Sequence, residues 1–315
     1  MTDLISQDRL TSYVSILKTK DDESLRAYYW NKSLASSIYP ALQCLEITLR
    51  NSIDISIKNN PPSGGLYMVG DWWFEKISKY LGDKLIRRRE RYSGTRIIKT
   101  IWEEQQVSKI LNRFNKKHIP ITSSKVLAGL DFGFWTNFLS DKFEDTGSNT
   151  LLWPNLFSHV FPNAPSGTTR QEVEKKFNRV REFRNRISHH EPIWKFYYSL
   201  PADAGPDYTK PVYGRAASIN LLKKQFEEII ELIGWIDKDT ADYLLNSRIC
   251  ASFNRICSME GFNSYVFPER SKVIDLNKNH KIKKLVNLIS RGIIFNITRK
   301  NKVIATIGAD LPIKE

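Results

Sequence analysis

The chain has 315 residues, 41% of them hydrophobic and 12% aromatic, so it can bury a substantial core and is not generally disordered. Lys and Arg number 48 against 34 Asp and Glu, and the formal net charge of +14 favours a polyanionic partner such as nucleic acid. Three cysteines without a Cys-x-x-Cys pair argue against a disulfide scaffold and a structural zinc site. Neither a membrane-spanning apolar run nor a signal-peptide pattern occurs, so we expect a cytoplasmic protein without a membrane partner.

Helical periodicity dominates the first half of the chain. It predicts helices over residues 6–18, 24–58, 95–117 and 126–143. Pro40 lies inside the second of these and predicts a kink or a break there. The aromatic residues of Asp71-Trp72-Trp73-Phe74, which opens a short helix, are expected to lie in the core.

The densest cationic stretch runs from Lys84 to Arg91, and basic residues continue along the next predicted helix. A solvated helix face is the simpler explanation for such a run. We favour contact with RNA phosphates, which would give affinity without sequence choice. The residues assigned to this surface are Arg87, Arg88, Arg89, Arg91, Lys109, Arg113, Lys116 and Lys117.

The segment from Arg184 to Glu191 holds more polar chemistry than any other window and closes a long amphipathic helix. A Thr169–Glu172 capping box predicts where that helix begins, and Glu191-Pro192 should end or bend it. The predicted core-facing residues of the helix are Val173, Phe177, Val180, Phe183 and Ile187.

Arg184 falls inside the core-facing stripe, where a guanidinium needs an acidic partner because an unpaired buried charge is costly. Glu46, Glu182 and Glu191 are the candidate partners. The functional alternative places Arg184 at the lip of a groove, where it would grip a phosphate bidentately.

Two pairs in this segment lie four residues apart, Asn185 with His189 and Arg186 with His190. The carboxyl end of a helix favours a cation, and imidazole exchanges protons near neutral pH, which suits RNA cleavage. Such cleavage needs a base and an acid on opposite sides of the phosphate. Since one helix supplies only part of this set, two copies facing each other would complete it, and we expect a homodimer.

Metal binding is the main rival for His189, His190 and Glu191. Adjacent helical side chains diverge by about 100°, which is poor ligand geometry, and no His-Glu-x-x-His pattern occurs. Ser188 lacks the glycines of a nucleophile elbow, and phosphate-binding glycine loops are missing from the sequence. We therefore expect neither a metal nor a cofactor.

The last third of the chain is predicted to contain strands as well as helices. Residues 201–211 are predicted to form a loop, residues 219–236 and 240–257 helices, and residues 292–298 and 303–308 the two strands of a hairpin with a basic turn. We therefore predict a mainly α protein, with a helical bundle over residues 1–260 and a basic extension carrying a small β-hairpin over residues 261–315.

Three blocks resemble the Abi-like (abortive infection) family of bacterial antiphage proteins, in the HEPN ribonuclease superfamily. They are Leu45-Glu46-Ile47-Thr48-Leu49-Arg50-Asn51, Gly133-Phe134-Trp135, and the run from Arg184 to Trp194, and the resemblance spans about residues 25–235. It implies a dimeric all-helical HEPN core with a metal-independent endoribonuclease site in the dimer groove.

Carried over by position, the resemblance makes Arg184 and His189 the catalytic pair and Asn185 the polar supporter. His190 also satisfies the looser spacing of the superfamily. The supporting residues assigned in the same blocks are Glu46, Arg50 and Glu191, and Arg186 is assigned to RNA binding. The resemblance implies RNA as substrate and a small noncoding RNA as regulatory partner. The alternative function is a noncatalytic RNA-binding or toxin-antitoxin-like interaction protein.

Overall fold

The computed structural model describes residues 5–60, 70–75, 77, 101–145, 147, 151–201, 205–270, 273–275 and 282–308. These residues are mainly helical. The helices are α1 Gln7–Leu17, α2 Asp21–Asn59, α3 Trp102–Lys116, α4 Ser123–Ala128, α5 Phe132–Asn137, α6 Phe157–Val160, α7 Arg170–Ser188, α8 Arg215–Ile236, α9 Lys238–Leu245, α10 Arg248–Ile256, α11 Met259–Val266 and α12 Ile282–Ser290. No helix among the described residues is both long and apolar enough to cross a membrane.

The described residues contain five short strands, which form two small sheets. The strands are β1 Tyr197–Ser199, β2 Pro206–Pro211, β3 Val273–Asp275, β4 Phe295–Arg299 and β5 Lys302–Ile307. Strands β1 and β2 pair antiparallel, whereas β4 lies between a parallel β3 and an antiparallel β5.

The chain divides into two compact units, and α2, α7, α8 and α9 contribute residues to both. The first unit comprises Met1–Leu42, Phe183–Ile230 and Ala241–Glu315, and the second Gln43–Glu182 and Glu231–Thr240. This division does not test the predicted boundary near residue 260, which stays a prediction.

Aromatic side chains build the core of the first unit. The indole of Trp30 contacts the ring of Phe262 edge to face at 4.9 Å, and its Nε1 donates to the carbonyl of Ile256 at 3.0 Å. Phe226 of α8 stacks on Phe253 of α10 with their centroids 4.0 Å apart. These contacts join α2 and α8 to the short helices near the C-terminus.

Phe138 lies at the centre of the core in the second unit. Its ring stacks on Phe143 at 4.8 Å and meets Phe134, Trp73 and Trp135 at 5.2, 5.7 and 6.2 Å. The burial of Trp73 and Phe74 confirms the core role predicted for two of the three aromatics after Asp71, whereas Trp72 is half-buried.

Helix α2 runs through Pro40 as one helix of 39 residues, so the predicted break was wrong, whereas the alternative of a kink stays a prediction. Proline costs about 3 kcal/mol inside a helix. Leu34, Ile38 and Leu45 are fully buried on either side of it. Since each buried side chain of this size contributes roughly 1.5–3 kcal/mol, the packing outweighs the lost hydrogen bond.

Polar residues gave rise to the other differences from the predicted elements. The helix predicted over residues 240–257 is two helices, because the hydroxyl of Ser247 accepts from the backbone of Ile249 and starts α10. The helix predicted over residues 126–143 is preceded by α4, which begins at Ser123 because the hydroxyl of Thr122 caps it by accepting from the N–H of Lys125. The predicted loop over residues 201–211 contains β2.

The predicted C-terminal hairpin is confirmed, and with it the mainly α fold class. Lys300 and Asn301 both have positive φ, at 49° and 61°, as a two-residue hairpin turn that follows the strand twist requires. Phe295 and Ile297 are buried against α12, and Thr306 donates to the side chain of Asn296 at 2.6 Å.

The capping box at the start of α7 is present as predicted. The backbone N–H of Thr169 donates to Glu172 Oε2 at 2.7 Å, and the N–H of Glu172 donates to the Thr169 hydroxyl at 3.2 Å. Hydrogen bonds from Thr169 hold the pKa of Glu172 below its usual value. This contribution to stability is therefore complete above the unfolded Glu pKa and is lost as the pH falls through the lowered folded one.

Replacing Thr169 with alanine removes the hydroxyl cap and should lower the free energy of unfolding by about 1 kcal/mol at neutral pH. Urea denaturation followed by circular dichroism measures the change. Thr11→Ala is the matched control, because the Thr11 hydroxyl bonds to the carbonyl of Gln7 inside α1 and caps nothing. An equal loss in both variants would show that the cap contributes nothing particular.

Candidate active site

Helix α7 is followed by a turn that contains His189 and His190. The N–H of Glu191 donates to the carbonyl of Arg186 at 2.9 Å, and the N–H of His190 donates to that of Ile187 at 3.0 Å. These bonds and the positive φ of His190, 58°, define a Schellman motif. The helix therefore ends at Ser188, ahead of the predicted Glu191-Pro192.

His190 occupies the left-handed position of this motif, where glycine is the usual residue. A side chain in that conformation costs roughly 1–2 kcal/mol. Arg9 of α1 holds the turn by donating from Nη1 to the His190 carbonyl at 3.2 Å. The strained residue is thus held by a partner 181 residues away in sequence.

Asn31 of α2 fixes the chain on the other side of the turn. Its side chain is buried, donates from Nδ2 to the carbonyl of Glu191 at 3.2 Å and accepts from the N–H of Ile193 at 2.9 Å. Ile193 and Trp194 are fully buried next to this clamp, and the Trp194 ring packs against Tyr13 at 5.0 Å. One amide therefore anchors the segment that leaves the two histidines.

Arg186 points back along the chain that follows it. Its Nη2 donates to the carbonyls of Pro192 and Lys195, the latter at 2.8 Å, and its Nε lies 3.6 Å from Glu191 Oε2. Burial lowers the pKa of Arg186, and the carboxylate of Glu191 opposes that shift. Arg186 was assigned to RNA binding, but these contacts use its guanidinium to hold the turn.

The remaining polar residues of the segment face solvent to different degrees. Asn185, His189 and His190 are exposed, and the N–H of His189 donates to the carbonyl of Asn185 at 2.9 Å. Arg184 is half-buried, and its guanidinium makes no hydrogen bond or ion pair with a described residue of the first unit. Two exposed imidazoles and a half-buried guanidinium thus lie near this helix end.

The other assigned residues lie in the second unit. Glu46 and Arg50 are half-buried on α2, where Arg50 donates to the side chain of Asn51 at 3.2 Å. The pairing of Glu46 with Arg184 joins residues of different units and stays a prediction. Four cationic residues of α3 and its C-terminal end are exposed as predicted: Lys109, Arg113, Lys116 and Lys117. The run of Arg87, Arg88, Arg89 and Arg91 lies outside the described residues.

Metal-binding side chains are dispersed in the part of the chain that the structure describes, where no three His, Cys, Asp or Glu residues are grouped around one point. The three cysteines are free, and burial raises the pKa of Cys257 to about 12, which keeps its thiol protonated.

Sequence reasoning did not identify Arg9 and Asn31 as part of the site. Asn31 carried a usable signal, because it lies on the same helical stripe as the buried residues Ala27, Leu34 and Ile38. A buried amide on an apolar stripe needs partners from elsewhere in the fold. Arg9, exposed to solvent on α1, carried no such signal.

A family model described as Abi-like protein matches residues 5–195. The chain belongs to the Abi-like protein family. The match starts earlier than the predicted range of 25–235 and ends just after the histidine turn, and it includes all three sequence blocks. Membership of this family indicates a role in abortive infection. No curated protein and no solved structure matches the chain.

Replacing Asn31 with alanine should destabilise this Abi-like protein, because it leaves the Glu191 carbonyl and the Ile193 N–H without their partner. We expect the free energy of unfolding to fall by about 2–4 kcal/mol. Urea denaturation measures it, and Asn220→Ala, at an exposed position of α8, is the control. Equal stability of the two variants would mean that the clamp contributes little.

Glycine at position 190 should stabilise the turn. It relieves about 1–2 kcal/mol of left-handed strain and adds about 0.5–1 kcal/mol of backbone entropy cost, so a gain of roughly 0.5–1 kcal/mol is expected. The chain offers a matched control in His118, which ends α3 with φ 52° and the same two hydrogen bonds, from His118 to Asn115 and from Ile119 to Phe114. His118→Gly should give a similar gain. Destabilisation by His190→Gly alone would show that its imidazole itself supports the fold.

Proposed function

We propose that this protein is a metal-independent endoribonuclease of the HEPN type that acts in abortive infection. The observation that carries the proposal is the strained turn after Arg184, which exposes His189 and His190 at the end of the helix in a block that the family match includes. Strained backbone held by several distant partners is characteristic of functional sites.

The proposed chemistry needs one base, one acid and one cation. A neutral imidazole of His189 or His190 takes the proton from a ribose 2′-hydroxyl, and the 2′-oxygen then attacks the adjacent phosphorus. The bond from phosphorus to the 5′-oxygen breaks, and the leaving oxygen receives a proton from the acid. The products carry a 2′,3′-cyclic phosphate and a 5′-hydroxyl. Arg184 stabilises the negative charge that develops on the phosphate oxygens.

A homodimer belongs to the proposal. Arg184 and His189 are five residues apart on α7, so a regular helix places them about 140° apart around its axis. A second protomer that contributes its own copy of the segment would supply the missing acid or cation. A small noncoding RNA is the proposed regulatory partner.

The exposed cations of α3 support RNA as the ligand class. Lys109, Arg113, Lys116 and Lys117 lie within nine residues and are all exposed. Side chains of this kind contact phosphates regardless of sequence and strengthen binding at low salt. They would add affinity for RNA without sequence choice.

The proposal is tested with the purified full-length protein and RNA in the presence of EDTA. We expect cleavage with 2′,3′-cyclic phosphate ends, and a loss of at least about 100-fold in rate for Arg184→Ala and for alanine at the essential histidine, the range that general acid–base groups contribute. His189→Ala and His190→Ala are measured separately, and together they identify that histidine. His118→Ala is the control, because His118 is exposed and has the same backbone conformation as His190.

Full activity of the double variant at positions 189 and 190 would contradict the assignment. If EDTA abolishes cleavage and an added divalent cation restores it, a metal-dependent mechanism would be favoured. RNA binding that persists without any cleavage by the wild-type protein would favour the noncatalytic RNA-binding function.

A further inference from the structure

Exposed aromatic side chains collect on the segment that follows the histidine turn. Of the thirteen large hydrophobic residues that are exposed in the described chain, four lie between residues 198 and 213. They are Tyr198, Leu200, Tyr208 and Tyr213, with exposed fractions of 59%, 39%, 73% and 57%. Single exposed aromatics are ordinary, but a group of this size on one short hairpin indicates a binding surface.

The β1–β2 hairpin holds the ring of Tyr208 in a defined position. Tyr197 and Tyr208 lie across the pair with their ring centroids 5.0 Å apart and their planes at 70°. The N–H of Val212 donates to the carbonyl of Phe196 at 2.9 Å and extends the pairing beyond the strands. Because the contact is edge to face and Tyr208 remains largely exposed, ring surface is free for a planar ligand.

Lysines lie beside the rings. Lys195 Nζ is 5.4 Å from the centroid of Tyr197, and Lys18 Nζ is 5.4 Å from that of Tyr213. The carboxylate of the nearby Asp207 already has partners. Hydrogen bonds from Thr209 lower its pKa, and Lys210 Nζ lies 3.4 Å from its Oδ2. The segment therefore combines cations, placed over the rings of Tyr197 and Tyr213, with the exposed rings of Tyr198 and Tyr208, which suits a ligand that is both anionic and planar.

The hairpin is tied to the histidine turn by Arg186. This side chain binds the carbonyls of Pro192 and Lys195 and lies 5.9 Å from the ring of Phe196, the last residue before β1. The hairpin base is thus fixed to the segment that exposes His189 and His190.

We infer that the β1–β2 hairpin is a stacking platform for unpaired RNA bases and that the proposed site acts on single-stranded RNA. The identification of the ligand as RNA rests on the proposed function. Unpaired bases stack on tyrosine rings whatever their sequence, and neighbouring lysines hold the backbone phosphates. A duplex keeps its base faces within the helical stack and cannot use such a platform.

The test measures binding to a fluorescent single-stranded oligoribonucleotide, in a His189→Ala, His190→Ala background so that the probe is not consumed. We expect Tyr198→Ala and Tyr208→Ala each to weaken binding by about fivefold or more, and tryptophan at the same positions to retain it. Affinity for the corresponding duplex should remain within about twofold. Tyr243→Ala is the matched control, because Tyr243 is 80% exposed on α9, outside the hairpin.

Equal binding by the hairpin variants and the Tyr243 control would overturn the inference. An equal loss for duplex and single strand would also overturn it, since it would show a general electrostatic effect. A changed oligomeric state with unaltered RNA binding would make the hairpin a contact between copies of this chain. Wild-type protein that binds but does not cut would refute the proposed catalysis while the binding result still decides the platform.

Discussion

The side-chain amide of Asn31 is the interaction on which the histidine turn depends. A buried amide has to satisfy both its donor and its acceptor, and Asn31 does so on the two sides of Pro192, at the Glu191 carbonyl and the Ile193 N–H. The chain therefore leaves α7 along a single path. Together with Arg9 at the His190 carbonyl, the clamp stabilises a backbone conformation that histidine alone would not favour.

The backbone of the turn is not unusual in itself, because α3 ends in the same way at His118. Each helix is followed by a His-x-Pro sequence, and each histidine has positive φ with the same two hydrogen bonds. The two turns differ at the flanking positions, which hold Phe114 and Ile119 in one and the Arg186–Glu191 ion pair in the other. The two turns therefore share one backbone conformation and differ in the side chains that surround it.

The features that could be predicted from the sequence are those that depend on interactions between residues close together in the chain. Three such features are the capping box at Thr169, the turn at Lys300 and the buried stripe of α7, and each depends on neighbours within a few residues. Four of the five residues predicted for that stripe are buried: Val173, Phe177, Val180 and Phe183. The clamp from Asn31 spans 160 residues, and no local pattern reveals its partner. Continuity at Pro40 likewise depended on burial along α2, which propensity does not measure.

The two arginines of the segment differ in their contacts. Arg184 and Arg186 are two residues apart, so α7 directs them about 200° apart around its axis. The planar guanidinium of Arg186 donates hydrogen bonds to two backbone carbonyls and forms an ion pair with Glu191, a geometry that lysine could not reproduce. It therefore positions the histidines and the hairpin without being free to grip a ligand. The phosphate contact in the proposed mechanism therefore falls to Arg184, and that proposal takes any cation on the other side of the phosphate from a second protomer.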